Sequence, residues 1–465
     1  MEKFDVCVIG AGPGGYVAAI RAGQSGLKTA LVEKEFFGGT CLNVGCIPTK
    51  TLIAGAEVLS TARRAAEFGV EISGEIRPDW KKMLARKDEV IGKLRNGIAG
   101  LEKAAGVTVF SGRGEFLNRR QLVVAAGEDA GTVIEASKFI IATGSEPLVP
   151  GFIPQGERVL TSTELLSLPK LPKSLLILGG GVIGCEFACL FAALGTEVTV
   201  VEMLPQILPA TDSECARLLA RRMESEGIRI LNGKPLSDIK CTARGVSGKV
   251  GDETLRAEYL LVSIGRRPVT AGLNLAAAGV KTSERGFIEV DENFLTSAPG
   301  IYAIGDAVGK IMLAHWASAA AEAAVSHICG KPVHFAGTLT PGCIFTSPEI
   351  GTVGLSEEQC KAQNIAYNVG KFPFAALGKA MAMGETEGFV KILADAATDQ
   401  VLGVHIIGPH ATDLIAEAVP AMLLECTARE LGRAIHAHPT LGEAMMEAAH
   451  AVHGECAHIP TRKRR

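Results

Sequence analysis

The chain has 465 residues, enough for about three domains. Its composition, with 47% hydrophobic and 21% charged residues and 54 glycines, indicates a globular, glycine-rich α/β protein and excludes a fibrous or disordered one. The net charge of −3 argues against a nucleic-acid binder, so the closing basic run from Thr461 to Arg465 is interpreted as a solvated tail.

No targeting segment is expected, because the first apolar stretch, Phe4 to Ile9, is too short for a signal peptide. No uninterrupted apolar run reaches the length of about 20 residues that spans a bilayer, so no membrane contact is expected. We therefore expect a soluble, cytoplasmic protein. In a reducing compartment, most cysteines are expected to be packed thiols, among them Cys7, Cys185, Cys189 and Cys241.

The first predicted unit is a β-α-β segment with a glycine fingerprint. A β-like run from Phe4 leads into Gly10, Gly12 and Gly15, and an Ala-rich helix follows. The next strand, Thr29 to Val32, ends at Glu33. In a dinucleotide site such glycines allow a tight turn under the pyrophosphate, and the acid accepts hydrogen bonds from a ribose.

A pair of cysteines follows at once, in the segment from Gly38 to Lys50. Cys41 and Cys46 could close only a very small ring, which would stabilise the fold by about 2 kcal/mol and favours a bond that opens and closes. Cysteines at a helix start are expected to have a lowered pKa. Spacing alone leaves two other interpretations open: a pair of small buried hydrophobes, or half of a metal site. No Cys-x-x-Cys motif supports a zinc site, and no metal is expected.

The same glycine fingerprint recurs 169 positions later in the chain. The strand Ser174 to Leu178 precedes Gly179, Gly181 and Gly184, and the strand Glu197 to Val201 leads to Glu202. One such motif is a weak signal, but two copies with the same context predict two dinucleotides. Glu202 would repel a 2′-phosphate, so the second site should prefer NAD to NADP. The first site is expected to hold FAD, because a flavin links a hydride carrier to a dithiol.

With these motifs, the chain resembles the flavoprotein disulfide reductases over nearly its whole length. The order of motifs is the same: a FAD fingerprint, Gly-Gly-Thr-Cys-x4-Cys, an Ala-Thr-Gly strand end, an NAD fingerprint, Gly-Asp and a C-terminal His-Pro. The matching segments after the cysteines are Ile141 to Gly144, Val262 to Gly265, Tyr302 to Asp306 and Met312 to His315. A lone Gly-Asp would otherwise indicate a surface turn, and a lone His315 a packed side chain.

The resemblance implies roles for the cysteines. Cys41 would be the interchange thiol and Cys46 the thiol nearest the flavin. Lys50 would lie near the flavin N5 and pair with Glu186, where it would stabilise reduced flavin. With the fingerprints, the resemblance gives these cofactor-binding residues: Gly10, Gly12, Gly15, Glu33, Lys34, Gly39, Thr40, Lys50, Gly114, Thr143, Gly144, Asp306, Ala314, Gly179, Gly181, Gly184, Glu186, Glu202 and Gly265.

The C-terminal motif runs from His436 to Glu443 and has two interpretations. Thr440 and Glu443 have the spacing of a helix capping box. By resemblance, His438 is the acid-base that exchanges protons with a substrate dithiol, and Glu443 orients it. His436 is interpreted as packing. In the family this histidine comes from the partner subunit, so the resemblance implies a homodimer.

The predicted fold class is α/β, with two Rossmann-like dinucleotide-binding domains and a C-terminal α+β dimerisation domain. The expected ranges are 1–150 for FAD binding, 151–270 for NAD binding, 271–335 for a central segment returning to the FAD domain, and 336–465 for the interface. Alternating runs from Phe389 to Leu393 and from Val401 to Ile407 predict an antiparallel sheet with helices in that last domain.

Within the family, the residues are most similar to the members that oxidise protein-bound dihydrolipoyl groups. Electrons would pass through Cys41 and Cys46 and FAD to NAD. The implied partners are lipoyl domains of 2-oxo acid dehydrogenase complexes or the lipoyl protein of glycine cleavage, and the sequence leaves that choice open. Glu202 speaks against glutathione reductase, and Cys456 has no neighbouring cysteine of the kind mercuric reductase needs. A structural subunit of a larger assembly and a soluble transhydrogenase remain alternatives.

Overall fold

The computed structural model describes residues 2–460, so the closing basic run lies outside the described part. Its strands are β1 Glu2–Ile9, β2 Thr29–Glu33, β3 Thr108–Ser111, β4 Arg113–Asn118, β5 Gln121–Ala126, β6 Val133–Ile141, β7 Ser145–Pro147, β8 Val159–Leu160, β9 Ser174–Leu178, β10 Glu197–Glu202, β11 Arg229–Asn232, β12 Ser237–Thr242, β13 Gly245–Val250, β14 Glu253–Ala257, β15 Tyr259–Val262, β16 Arg266–Pro268, β17 Ile301–Ala303, β18 Gly342–Ile344, β19 Glu349–Gly354, β20 Tyr367–Pro373, β21 Phe389–Asp395 and β22 Val401–Gly408.

The α-helices are α1 Pro13–Gln24, α2 Gly39–Val44, α3 Cys46–Arg63, α4 Trp80–Ala104, α5 Ser162–Leu165, α6 Val182–Ala193, α7 Ser213–Ser225, α8 Leu275–Ala278, α9 Ala314–Ile328, α10 Glu357–Ala362, α11 Gly378–Met383, α12 Ala411–Leu423, α13 Ala428–Arg433 and α14 Glu443–Val452. Short 3₁₀ turns cover Ala65–Phe68, Gly305–Val308, Gly337–Leu339 and Phe374–Ala376. Within residues 2–460, no helix is both long and apolar enough to cross a membrane.

The chain divides into two compact units. Unit 1 comprises Met1–Gly151, Thr161–Lys170 and Ile264–Gly337. Unit 2 comprises Phe152–Leu160, Leu171–Ser263 and Thr338–Arg465. The chain therefore leaves unit 1 and returns to it, and each unit is built from segments distant in sequence.

Unit 1 is centred on a parallel sheet with the order β3-β2-β1-β6, to which β17 is added beside β6. Its central strand β1 pairs with β2 and β6 in parallel register, for example Val8 with Leu31 and Ile140. Both partners are apolar because helices cover the sheet and a parallel sheet of this kind is buried on its faces. The antiparallel pair β4-β5 extends β6.

The short segment Thr161–Lys170 joins unit 1 through α4. The indole Nε1 of Trp80 donates to the carbonyl of Leu168 at 2.8 Å, and the ammonium of Lys87 donates to the carbonyl of Leu166 at 3.0 Å. Both donors are buried. These bonds satisfy polar groups that would otherwise be costly inside the protein.

Unit 2 begins with a second parallel sheet, in the order β11-β10-β9-β15-β8. Its strands β9 and β10 pair residue for residue, as Ile177 with Val200. An antiparallel three-stranded sheet, β12-β13-β14, packs its apolar side chains against this sheet around Leu176, Val201 and Leu260. The four strands predicted at the two fingerprints are all present, which confirms two Rossmann-like β-α-β units.

The rest of unit 2 is an antiparallel sheet in the order β18-β19-β22-β21-β20. The two predicted strands are confirmed as Phe389–Asp395 and Val401–Gly408. The helices α12 and α14 pack closely on the sheet: a Cβ at Gly351 would lie 2.3 Å from the carbonyl of Ala411, and one at Gly370 would lie 2.0 Å from that of Ala448. The predicted class, with a C-terminal α+β domain, is therefore confirmed.

The alternation of exposed and buried residues predicted for these strands is wrong. Nearly every residue of β21 is buried, including Lys391. The Lys391 ammonium forms ion pairs with Asp212 at 2.7 Å, Glu214 at 2.8 Å and Glu357 at 3.0 Å. Three carboxylates compensate one buried cation, which is why a charged residue can occupy an interior strand position.

Candidate active site

The first fingerprint turn is shaped by close backbone contacts. Gly10 has a φ of +98°, and its N–H donates to the carbonyl of Val32 at 2.8 Å. A Cβ at Gly15 would lie 1.7 Å from the Gly10 carbonyl oxygen, so only glycine lets α1 approach the turn. Around Gly12, the residue before α1, the space for a Cβ is open. The turn therefore leaves room at the helix N-terminus, where N–H groups favour a phosphate.

Glu33 ends β2 and holds this turn. Its Oε2 accepts the N–H of Ala11 at 2.6 Å and its Oε1 accepts the N–H of Glu35 at 2.8 Å. Burial raises the pKa of Glu33, while these two backbone N–H groups and the charge of Lys34 lower it. The carboxyl is thus fixed at the edge of the turn, where the resemblance places a ribose.

The second fingerprint in unit 2 repeats these contacts bond for bond. Gly179 has a φ of +108° and donates to Val201 at 2.9 Å, and Glu202 accepts from Gly180 at 2.7 Å and from Leu204 at 2.8 Å. A Cβ at Gly184 would lie 2.0 Å from the Gly179 carbonyl oxygen, and the space at Gly181 is open. Every one of these positions is 169 beyond its counterpart, so the sequence repeat is a structural repeat.

The two cysteines lie at a break between two helices. Cys41 is in the first turn of α2, and Cys46 is the first residue of α3, with Gly45 between the helices. The structure holds them as two thiols whose side chains are hydrogen-bonded. The side chains of the two cysteines are therefore in direct contact across the helix break.

The lowered pKa predicted for a helix-start cysteine is wrong for Cys41. The hydrogen bond to the Cys46 thiol and then burial raise the pKa of Cys41 well above its usual range. A backbone hydrogen bond from Cys46 and the charge of Lys50 oppose this rise. The close thiol partner outweighs the helix terminus, because α2 has only six residues.

The cysteine segment is built directly on the first fingerprint. The N–H of Gly38 donates to the carbonyl of Ala11 at 2.8 Å. Gly39 has a φ of +52°, and a Cβ there would lie 2.7 Å from the Cα of Gly12. Thr40 follows Gly39 and is exposed. Close approach of the two glycines places the cysteines beside the turn that would receive the phosphates.

The strand end after β6 supplies an unsatisfied polar group. The Oγ1 of Thr143 is buried and has no hydrogen-bond partner among the described residues. A buried orphan of this kind costs free energy and indicates a missing partner. Thr143 lies over the Gly10 turn, where a Cβ on Gly10 would be 3.2 Å from its Cα. Gly144, with a φ of +71°, has open space beside it.

Asp306 lies in unit 1, in the turn after β17. Its carboxylate accepts a hydrogen bond from the hydroxyl of Ser145, and Arg266 lies 3.9 Å away. Ala314 begins α9, which packs on α1: the hydroxyl of Ser318 donates to the carbonyl of Pro13 at 3.3 Å. The fingerprint, the Thr143 segment and the Asp306 turn thus belong to one side of unit 1's sheet, at the carboxyl ends of β1, β6 and β17.

These features fit the two predicted dinucleotides. In unit 1, an open helix N-terminus, a fixed acid and the orphaned Thr143 hydroxyl lie at strand ends that meet at one edge of the sheet. In unit 2, the same turn and acid are present at Gly181 and Glu202. Among the described residues, no cluster of His, Cys, Asp or Glu could hold a metal ion.

Three other predicted cofactor residues are placed less directly. Gly114 is buried in β4, where a Cβ would lie 3.0 Å from Leu122, so its side faces the core. Gly265 belongs to unit 1 and accepts the N–H of Leu148 at 3.0 Å, although the sequence predicted it in the NAD domain. Lys34 is exposed beside Glu33. Their roles stay predictions.

Glu186 lies in α6 in unit 2 and is buried. Its Oε1 accepts the N–H of Phe345 at 3.0 Å. Lys50 lies in unit 1, one turn after Cys46 on α3. The pairing of Lys50 with Glu186 stays a prediction.

His438 and Glu443 are in contact, as predicted. The Nδ1 of His438 lies 2.8 Å from Oε1 of Glu443, and Oε2 of Glu443 accepts the N–H of Thr440 at 2.9 Å. The capping-box interpretation is wrong, because the helix begins at Glu443 itself, its N-cap is Gly442, and no described side chain caps it. Of the two bonds of a capping box, only that from the Thr440 N–H to the Glu443 carboxylate is formed between these described residues. Burial opposes ionisation of Glu443, but the Thr440 N–H and His438 hold its pKa below the usual value.

The geometry makes His438 suitable for proton exchange. Its side chain is 78% exposed, while Glu443 is 16% exposed. A carboxylate on Nδ1 directs Nε2 outward as the exchanging atom. His436, predicted as packing, has a side chain that is 11% exposed, and its Nε2 also lies 2.7 Å from Oε1 of Glu417.

Comparison with known proteins agrees with these two units. The pyridine nucleotide-disulphide oxidoreductase family matches residues 4–321, and the dimerisation domain of the same family matches residues 340–449. The chain belongs to the pyridine nucleotide-disulphide oxidoreductases. The predicted family is therefore confirmed. Members of this family use FAD and NAD(H), so the chain is an oxidoreductase that uses both, and its dimerisation domain indicates a homodimer.

Relatives match over the full chain. The dihydrolipoyl dehydrogenase of Chlamydia muridarum is 45% identical, over 99% of this chain and 100% of that protein. The dihydrolipoyl dehydrogenase of Bacillus subtilis is 44% identical, over 98% of this chain and 99% of that protein. Among solved structures, the HOCl-induced flavoprotein disulfide reductase RclA of Escherichia coli, as its Cu(II) complex, matches with a TM-score of 0.88 and 29% identity, over 97% of this chain and 99% of that one.

Sequence reasoning missed Arg266 and Ser145. Arg266 donates from Nε to the hydroxyl of Ser145 at 2.6 Å and from Nη2 to its carbonyl at 2.7 Å. Both residues come directly after motifs that were recognised, Gly265 and Gly144, and this adjacency was the available signal.

Proposed function

We propose that the protein oxidises protein-bound dihydrolipoyl groups to lipoyl groups and reduces NAD⁺. The observation that carries this proposal is the Cys41–Cys46 dithiol built on the first fingerprint turn, in a chain whose second fingerprint ends in an acid. The name of the relative at 45% identity over the full chain supports the same substrate.

The exchange step needs only the two cysteines and the substrate dithiol. One substrate thiolate attacks Cys41 of the Cys41–Cys46 disulfide, and the sulfur of Cys46 leaves as a thiolate. The second substrate thiolate then attacks the substrate sulfur of the mixed disulfide, so that the sulfur of Cys41 leaves, the lipoyl disulfide is released and Cys41 and Cys46 remain as a dithiol. When bound, FAD supplies the path by which this electron pair reaches NAD⁺ as hydride.

His438 is the proposed acid-base. Its exposed ring takes the protons of the substrate dithiol, and Glu443 fixes the ring so that Nε2 faces the substrate. In the proposed homodimer, the partner subunit's His438 serves the cysteine pair of each subunit. Glu417, in α12, pairs with His436. His436 lies in the same loop as His438, so this pair shapes the loop that presents His438.

The proposed cofactor assignment places FAD in unit 1 and NAD in unit 2. Gly10, Gly12 and Glu33 would bind the FAD pyrophosphate and ribose, and Asp306 its ribityl chain. Gly179, Gly181 and Glu202 would bind NAD, with the charge of Glu202 disfavouring NADP. The proposed division is an FAD domain (1–150), an NAD domain (151–270), a central segment (271–335) and an interface domain (336–465). Within the proposed NAD range, residues 161–170 and 264–270 belong to unit 1.

The proposed partners are lipoyl domains of 2-oxo acid dehydrogenase complexes or the lipoyl protein of glycine cleavage. Both present the same dithiol on a flexible arm, and the site described above would accept either. We place the reaction in the cytoplasm, where the remaining cysteines stay reduced.

The deciding experiment is the initial rate of NADH formation by purified, flavin-loaded protein with dihydrolipoamide and NAD⁺. We expect turnover on the order of 10 per second or faster. Parallel assays with glutathione disulfide plus NADPH, and with NADH plus an NADP⁺ analogue, cover the reductase and transhydrogenase alternatives. No NADH from dihydrolipoamide, with activity in either parallel assay, would contradict the proposed substrate. Turnover without any added partner would exclude a purely structural subunit.

A further inference from the structure

Arg266 and Ser145 meet where two short strands pair. The antiparallel strands β7 and β16 align Ser145 with Pro268 and Pro147 with Arg266. The Arg266 guanidinium then bonds Ser145 twice, to its hydroxyl at 2.6 Å and to its carbonyl at 2.7 Å. Two donors of one rigid guanidinium fix its orientation.

Ser145 passes this contact on to Asp306. Its hydroxyl accepts from Arg266 and donates to Oδ2 of Asp306, which lies 3.9 Å from the Nε of Arg266. Ser145 is 6% exposed, so the relay lies inside unit 1. The Asp306 carboxylate is therefore held by the hydroxyl of Ser145 and the cation of Arg266.

Arg266 is a buried cation beside this carboxylate. Its side chain is 15% exposed, and burial lowers the pKa of Arg266 although the charge of Asp306 opposes the shift. The guanidinium stays protonated at any working pH, because the arginine cation is a very weak acid. A permanent positive charge therefore lies 3.9 Å from the Asp306 carboxylate.

We propose that Arg266 is a positioning residue of the flavin site: through Ser145 it holds the Asp306 carboxylate in place for the flavin. The proposal deepens the proposed function and rests on the assignment of FAD to unit 1. A merely structural Arg266 would hold β7 to β16, and FAD affinity would then not depend on the Ser145 hydroxyl.

The chain offers a matched control on the same strand. Arg267 is the next residue of β16 after Arg266, is 61% exposed and pairs with Glu146 at 2.8 Å. The variants are therefore Arg266→Met, which removes the charge, Arg266→Lys, which keeps the charge and loses the fork, and Arg267→Met, which removes a charge outside the relay.

The first measurement is the dissociation constant of FAD, followed by flavin fluorescence, together with the thermal stability of each variant. We expect Arg266→Met to raise the dissociation constant about tenfold. Arg266→Lys should stay within about threefold, and Arg267→Met should match the unchanged chain. The same FAD affinity for Arg266→Met and the unchanged chain would overturn the proposal.

The second measurement uses Ser145→Ala, which removes the hydroxyl between Arg266 and Asp306 and keeps the backbone of β7. It should raise the dissociation constant of FAD about tenfold and leave thermal stability nearly unchanged. Unchanged FAD affinity would refute the positioning of Asp306. If Arg266→Met does not fold, Arg266→Lys and Ser145→Ala still test the proposal. FAD affinity does not use a dihydrolipoyl substrate, so the proposal can fail while the proposed function stands.

Discussion

Glu33 and Glu202 occupy equivalent positions in two copies of one β-α-β unit. Each accepts one N–H from its glycine turn and one from the residue two positions on. They lie in different units and are separated by 169 positions. The same local contact therefore occurs once in each of the two units, at the turn that would receive a dinucleotide.

This equivalence predicts that matched substitutions have separate effects. Glu202→Gln keeps an acceptor for the turn and removes the charge, so we expect the KM for NAD⁺ to rise about 10-fold and discrimination against NADP⁺ to fall. Glu33→Gln should weaken retention of FAD and leave the KM for NAD⁺ within about twofold. The measurements are steady-state kinetics and flavin content after gel filtration. Equal effects of both variants on NAD⁺ would contradict the assignment of the two sites.

Removal of the flavin-side thiol should stop dithiol chemistry. For Cys46→Ser we expect dihydrolipoamide-dependent NADH formation to fall at least about a thousandfold, because the exchange then has no disulfide to reduce. Bound flavin and thermal stability should be nearly unchanged. Cys329→Ser, at the end of α9, serves as the control and should retain full activity. Full activity of Cys46→Ser would show that the hydride path bypasses the dithiol.

The contact between His438 and Glu443 predicts a selective loss of rate. Glu443→Gln keeps the Thr440 N–H partner through its amide oxygen and removes the negative charge next to His438. We expect the turnover number with dihydrolipoamide to fall about 10- to 100-fold. Glu417→Gln, which makes the same change beside His436, is the control and should lower the turnover number by less than about threefold. A larger loss for Glu417→Gln would assign the proton transfer to His436.

Glu102 predicts a pH dependence of stability in unit 1. This carboxyl in α4 is 1% exposed, and neither oxygen has a hydrogen-bond partner among the described residues. Burial, and then the charge of Glu33, raise the pKa of Glu102 to about 8. The folded chain therefore binds this proton more tightly than the unfolded chain, so its stability falls as the pH rises from about 4.5 to about 8.

The test is urea unfolding of Glu102→Gln and the unchanged chain at pH 5, 6, 7 and 8, both without flavin. The two tryptophans of the sequence, Trp80 and Trp316, both lie in unit 1, so tryptophan fluorescence reports on this unit. We expect the free energy of unfolding of Glu102→Gln, relative to that of the unchanged chain, to rise by up to roughly 4 kcal/mol between pH 5 and pH 8. The exposed Glu128→Gln should match the unchanged chain at every pH. A constant difference for Glu102→Gln would contradict the raised pKa.

The motifs that depend on neighbours in the chain could be predicted. The strand, turn and acid of each fingerprint lie within one short stretch of chain, and His438 and Glu443 are five positions apart, so spacing alone was sufficient to bring them together. The contacts that join distant segments could not. Ser145 meets Arg266 across 121 positions and Asp306 across 161, because β7 and β16 pair only in the folded chain.

Burial was the other quantity that the pattern did not contain. From the sequence alone, Glu102 and Lys391 would be taken for solvated charges, yet each is buried. Lys391 is compensated by carboxylates from α10 and the start of α7, whose approach depends on the whole of unit 2. The pKa of Cys41 escaped prediction for a related reason, since the thiol of Cys46 outweighs the helix terminus at contact distance.

The turn held by Glu202 has a consequence for the rate at which the nucleotide is exchanged. Its backbone is already ordered by the bonds from Gly180 and Leu204, so a nucleotide bound there, as proposed, would fix few additional dihedral angles. Little conformational entropy would be lost on binding and little regained on release. We therefore expect this turn to add little to the barrier for exchange of a carrier that enters and departs once in every catalytic cycle.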